Sequence, residues 1–255
     1  MRIDRVLGVL GGAATVLALA VVPAQATAAD TQICDQYGSA HVAGDRYVVQ
    51  NDEWGDTIPQ CITAFDTGFS VDSGQHNLPA GGPPAAYPSI YAGCHYGNCS
   101  TGNGLPLQVS AFHDVHSTVD YAVTDGEWDA AYDIWLDTTP NPSGQNNGAE
   151  IMIWGNHAGP PQPFGAKVGT ANLAGATWDV WEGRQTGSGI GWNVVSYVRQ
   201  QVTTSLDVHV QDFTTDAAGR GYVQSSWYLT SVQFGFEPWQ GGPGLRVNSF
   251  SVSAG

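Results

Sequence analysis

The sequence predicts an all-β protein, a β-sandwich or jelly roll. Three observations carry that reading. Apolar and polar residues alternate with period two in many short runs. Clusters of Gly, Pro, Asn and Asp punctuate those runs at close intervals. Helical spacing of apolar residues is almost absent, which leaves sheet packed on sheet as the way to bury a core.

The predicted strands, in order, fall in residues 46–50, 58–65, 107–112, 118–123, 129–136, 150–154, 177–182, 192–198, 225–236 and 245–253. Turn-forming clusters at 79–84, 140–148 and 159–165 separate some of them. One stretch departs from the pattern. Residues 205–217 (SLDVHVQDFTTDA) space their apolar side chains near the helical period and are predicted as a single helix.

The first 29 residues read as a secretory signal peptide. Arg2 and Arg5 open it, an apolar run covers 6–22, and small residues follow up to Ala29, with cleavage expected before Asp30. The run is only about as long as the shortest spanning helix, so a membrane anchor is the weaker reading. Residues 30–255 then form one domain with a large core, with no Pro/Ser/Thr-rich linker and no internal repeat. The expected location is extracellular.

Asp and Glu number 23 against 8 Lys and Arg. An acidic chain lacks the basic surface that nucleic acid or anionic lipid requires, so neither is a predicted partner. Charged residues are nevertheless sparse, while Trp number 9 and Tyr 10, which suits a neutral, flat-faced ligand such as a sugar as well as it suits a sandwich core. The four cysteines read as two disulfides in an exported chain. Cys94 and Cys99 close a small loop, leaving Cys34 for Cys61. Their spacing is not that of a zinc site. His113, His116, His157 and His209 show no metal-type arrangement, and no metal is predicted.

Two glutamates stand out. In AEIMIW, strand alternation puts Glu150, Met152 and Trp154 on one face and Ile151 and Ile153 on the other, the core side. In WYLTSVQFGFEPW, Val232, Phe234 and Phe236 face the core, whereas Gln233, Gly235, Glu237 and Trp239 share the opposite surface. Gly235 leaves room for something to lie close to the sheet. Phe236, Pro238 and Trp239 desolvate Glu237, which raises a carboxyl pKa and suits a general acid. A third acid, Asp133 in AAYDIW, shares its face with Trp135 and is placed to tune a neighbouring Glu. Taken singly, each acid is more often a solvated edge residue than a catalyst. Together, on Trp-rich strands, they point to a sugar hydrolase or to a sugar-binding module. No GxSxG elbow supports serine hydrolase chemistry.

At these residues the chain resembles bacterial glycoside hydrolase family 12. AEIMIW is similar to the family's nucleophile segment and SVQFGFEPW to its acid/base segment; GGPGLRVNSFSV is like its last strand. Upstream, VVQNDEWG resembles the N-terminal aromatic motif, YDIW the auxiliary-acid motif, and PFG the start of a cleft-crossing loop, so the likeness runs from about Ile33 to Val252. It implies a jelly roll of two curved antiparallel sheets with an open cleft on the concave face. It implies that Glu150 is the nucleophile, Glu237 the acid/base, and Asp133 the acid beside the nucleophile. Trp54 then stacks on a sugar, Met152 and Trp154 line the floor, and Asp52 stands in the cleft where many members carry Asn. Gln185 likewise stands where Asn is common.

The implied activity is retaining endo-β-1,4-glucanase action on a β-glucan by a secreted monomer, with no cofactor and with carboxyls about 5–5.5 Å apart. The rivals are xyloglucan or mixed-linkage glucan hydrolysis with the same residues, and a non-catalytic carbohydrate-binding protein, which has no use for both glutamates.

Overall fold

The computed structural model describes residues 29–187 and 189–254. The expected signal peptide therefore lies outside the described residues, apart from Ala29 at its end. The chain opens with β1 (Thr31–Ile33), β2 (Ser39–Val42), β3 (Tyr47–Gln50), β4 (Cys61–Phe65), β5 (Gly68–Ser73) and β6 (His76–Asn77). Next come β7 (Ser89–His95), β8 (Asn98–Cys99), β9 (Leu107–Gln108), β10 (His116–Ala122), β11 (Gly126–Asp137) and β12 (Ala149–Ala158). Then follow β13 (Ala166–Leu173), β14 (Ala176–Gln185), β15 (Trp192–Arg199), β16 (Ser205–His209), α1 (Val210–Gly219), β17 (Tyr228–Gly241) and β18 (Arg246–Ser253).

These strands form two sheets. A six-stranded sheet runs β1-β4-β5-β18-β10-β16. A larger, twelve-stranded one runs β13-β14-β15-β12-β11-β17-β7-β3-β2, with three short strands at its margins. The core lies between them. Ala130, Tyr132, Ile134 and Leu136 of β11 enter it with Ile151 and Ile153 of β12 and Val232, Phe234 and Phe236 of β17. Phe234 packs edge-on against Tyr132, and Phe236 against Phe69 of the facing sheet. The alternate residues of β11, β12 and β17 therefore face away from the core, onto the outer, concave face of the large sheet.

The alternation reading holds for the long strands, and both disulfides join the expected partners, Cys34 to Cys61 and Cys94 to Cys99. Three expectations are corrected. The helix begins only at Val210. Residues 205–209 are an edge strand, because Leu206 and Val208 alternate with exposed neighbours and Ser205–His209 pairs with β10. Within 107–112 only Leu107–Gln108 is strand, and Val109–Ala111 turns as a 3-10 helix while Val109 and Ser110 donate to Trp227 and Ser225. The sheets are also not wholly antiparallel, since β15 lies parallel to β12. The chain leaves β12, makes the β13–β14 hairpin, and returns to fill the place between β14 and β12.

Helix α1 packs through Val210, Phe213, Thr214 and Ala217. Phe213 meets Trp178 and Tyr197 edge-on. Tyr197 Oη donates to Asp216 at 2.8 Å, and Arg220 joins Asp216 to Glu182 of β14, which holds the helix to the large sheet. Among the described residues no helix is long and apolar enough to cross a membrane.

Candidate active site

The concave face carries an open cleft of about 1370 Å³. Because the cleft crosses the strands, sheet order sets its length. Tyr37 and Trp54 line the end near β2 and β3, the carboxylates lie at β17, β11 and β12, and Gln162, Phe164 and Gln185 line the end near β14. Trp54 is 45% exposed, in keeping with a stacking platform. Its loop is tied down by backbone bonds from Trp54 and Gly55 to the Ala85 carbonyl, and a Cβ at Gly55 would meet the Pro84 carbonyl at 1.9 Å.

Glu150 is the second residue of β12, beside Trp135 of β11 and Val194 of β15. Trp192 Nε1 donates to its Oε2 at 2.7 Å. Burial raises its pKa, and the Trp192 hydrogen bond partly offsets the rise. Glu237 lies on β17 opposite Asp129. Its pKa is pushed well above the ordinary carboxyl range by burial first, then by Asp129, Glu150 and Asp52. On a flat β11 the partners of the two glutamates, Trp135 and Asp129, would stand roughly 20 Å apart. The ladders of β11 carry bulges at Ala130/Ala131, Glu127/Trp128 and Trp135/Leu136, and both carboxyls line one cavity, where the charge of Glu150 helps to raise Glu237.

Asp133 stands between them, paired with Met152 and Gln233. Trp135 Nε1 donates to Asp133 Oδ2 at 2.7 Å, while Oδ1 has no partner. Burial and then the Glu150 charge hold this carboxyl well above its usual range. Met152 and Trp154 line the cleft and pack against Ala131 and Val198. Asp52 lines the cleft from a left-handed backbone position, φ 42°, and its carbonyl accepts the Tyr87 N–H. Burial pushes its carboxyl up to about 7, so at acid pH it carries a proton and can donate. Gln185 lines the cleft but spends its Oε1 on the N–H groups of Thr186 and Gly187.

Every residue expected at the site thus lines one cleft. The room beside Gly235 is used by the protein itself, since a Cβ there would meet the Pro88 carbonyl at 2.3 Å. Sequence reasoning missed Asp129, Trp192 and Tyr87. Asp129 had a signal, because it shares strand parity with Asp133. Trp192 had none, as only the parallel return of β15 brings it to Glu150. His116 and His209 sit on the surface, bonded to Asp207 and Asp114 respectively.

A β-sandwich with opposed carboxyls in a long aromatic cleft has the architecture of a polysaccharide hydrolase, not of a simple sugar binder. Residues 45–254 match the family model for glycosyl hydrolase family 12. A probable cellulase, Cel12b, of Mycobacterium tuberculosis is 40% identical over 152 residues, 59% of this chain and 97% of that protein. The native structure of the endo-1,4-β-glucanase CelB2 is 47% identical with a TM-score of 0.83, covering 88% of this chain and 99% of the other. A family 12 xyloglucanase from Bacillus licheniformis is 28% identical with a TM-score of 0.81, over 88% and 100% of the two chains. The chain belongs to glycosyl hydrolase family 12, and it is a glycoside hydrolase of the endo-β-1,4-glucanase class.

Proposed function

We propose that the cleft cuts internal β-1,4-glucosidic bonds of cellulose-type glucan, with Glu150 as nucleophile and Glu237 as acid/base. The observation that carries this reading is the presence of both glutamates in the lining of one open cleft, with the charge of Glu150 raising the carboxyl of Glu237. Glu150 attacks the anomeric carbon while Glu237 gives its proton to the departing oxygen. Water then hydrolyses the glycosyl ester as Glu237 takes a proton from it. Asp133 tunes the pair, Trp54 stacks on a sugar toward the β3 end, and Asp52, Met152 and Trp154 contact the chain. The cleft is complete within one chain, which suits a monomer. Two closed disulfides suit an exported protein.

Proton NMR during the first minutes of hydrolysis tests the reading. Retention yields the β-anomer first, and an early α-anomer signal would recast Glu150 as a base acting through water. The likeness to a xyloglucanase favours a second substrate for the same residues. Comparing kcat/KM on xyloglucan with that on soluble cellulose derivative decides between them.

A further inference from the structure

Asp129 is an acid that the two-carboxylate scheme does not use. It is fully buried on β11, directly across the ladder from Glu237. Neither of its side-chain oxygens makes a hydrogen bond of ordinary geometry. The groups that lie against them are those of Glu237, both its carboxyl and its backbone N–H. Other donors nearby are committed elsewhere or idle. Tyr87 Oη donates to the Ala131 carbonyl at 3.0 Å, and Tyr121 Oη, from the facing sheet, donates to the Thr203 carbonyl at 2.7 Å. His157, the cross-strand neighbour on β12, has an Nδ1 with no partner. The remaining nearby acid is Asp133 on the same strand. The charges that act most strongly on Glu237 all come from acids: Asp129, Glu150 and Asp52.

Two carboxyls pressed together in a buried site without a cation cannot both be ionised. We propose that Asp129 is the positioning partner of the acid/base, sharing one proton with Glu237 in a carboxyl–carboxyl hydrogen bond. This rests on the reading of Glu237 as acid/base. In the resting enzyme Glu237 holds the proton and Asp129 accepts the bond. Burial raises both carboxyls, and Asp129 raises Glu237 further. In the first step the Glu237 proton passes to the glycosidic oxygen as the C–O bond breaks and the Glu150–carbon bond forms. One negative charge thereby moves from Glu150 to Glu237. Glu237 is then an anion beside an anion, which makes it a stronger base toward the incoming water. Taking the proton from that water restores the shared bond while the ester releases Glu150 as carboxylate.

The test is Asp129→Asn, read by the pH dependence of kcat/KM on soluble β-glucan. Asparagine removes the charge that opposes ionisation of Glu237 and can donate to its anion. The alkaline limb is therefore expected to move to lower pH by about one unit or more, the size of a strongly coupled pair. A limb that superimposes on wild type overturns the proposal. Glu237→Ala with added azide is run in parallel. Rescue with formation of a β-glycosyl azide upholds the acid/base role, so that an unmoved limb then removes only the proton sharing. Without rescue the acid/base role fails and the proposal falls with it. Should Asp129→Asn not fold, carboxyl 13C NMR of the wild type serves instead, with Glu237 assigned by its Gln variant. Glu237 is expected to respond to two ionisations, the later one its own. A single ordinary carboxyl titration overturns the sharing.

Discussion

Replacing Glu150 by Gln should cost the enzyme its activity and make the fold more stable, and both effects can be sized. An amide cannot attack as an anion, so turnover should fall by several powers of ten. The amide oxygen keeps the shape and can still accept from Trp192, so the local structure should persist. The stability effect follows from burial, which lifts the Glu150 carboxyl from 4.5 to about 7. A folded state with the higher pKa binds more protons between those values, so stability falls as pH rises through that window. At ~1.36 kcal/mol per pKa unit, and with part of Glu150 open to the cleft, ionisation costs the fold about 1–3 kcal/mol above neutrality. Glutamine never ionises. The variant should therefore gain little at about pH 4 and roughly 3–10 °C in melting temperature at about pH 8. Thermal unfolding of both proteins at the two pH values, with reducing-sugar assays alongside, gives the comparison. A stabilisation equal at both pH values would refute the burial argument. Retention of more than about a hundredth of the rate would remove Glu150 as nucleophile.

Asp133→Asn should lower kcat less than Glu150→Gln and should move the pH profile, because Asp133 is buried beside Glu150 and feels its charge. A bell-shaped curve identical to wild type would uncouple it from the pair. Replacing Cys34 and Cys61 together by Ser should cost about 3.5 kcal/mol, and replacing Cys94 and Cys99 about 2 kcal/mol, as the closed loops differ in length, with separations of 27 and 5. Denaturant unfolding that ranks them the other way would contradict the loop-length account. The short loop also presents His95 and Tyr96 to the cleft, so its removal should raise KM as well.

Strand parity made much of this site legible before any coordinates. Glu150 with Met152 and Trp154, and Glu237 with Gln233, sit on the concave face because alternate residues must, once Ile151, Ile153, Phe234 and Phe236 claim the core. The same rule would have reached Asp129 from Asp133. What parity cannot reach is pairing between strands distant in sequence. Trp192 meets Glu150 only because β15 returns parallel to β12, and the Gly235 contact depends on where the Pro88 loop runs. The sequence predicts the helix too early because Leu206 stands at helical spacing from Val210, Phe213 and Ala217, while Leu206, Val208 and Val210 alternate as in a strand. The free edge of β10 decided in favour of strand as far as His209.

The parallel place of β15 also bears on how the enzyme comes to be active. The strand that carries Glu150 has β11 on one side, reached through a local loop, but its other neighbour is not made until the β13–β14 hairpin has been completed and the chain has come back. Closing that circuit costs chain entropy before its contacts repay it, and contacts so distant in sequence slow folding. Until it closes, β12 offers an unpaired edge, the kind of surface on which unfinished chains associate. Glu150 and its Trp192 partner meet only when β15 has returned, so this part of the cleft is expected to be completed late in folding. Activity is accordingly expected to come late in folding, and to be lost where β12 and β15 part.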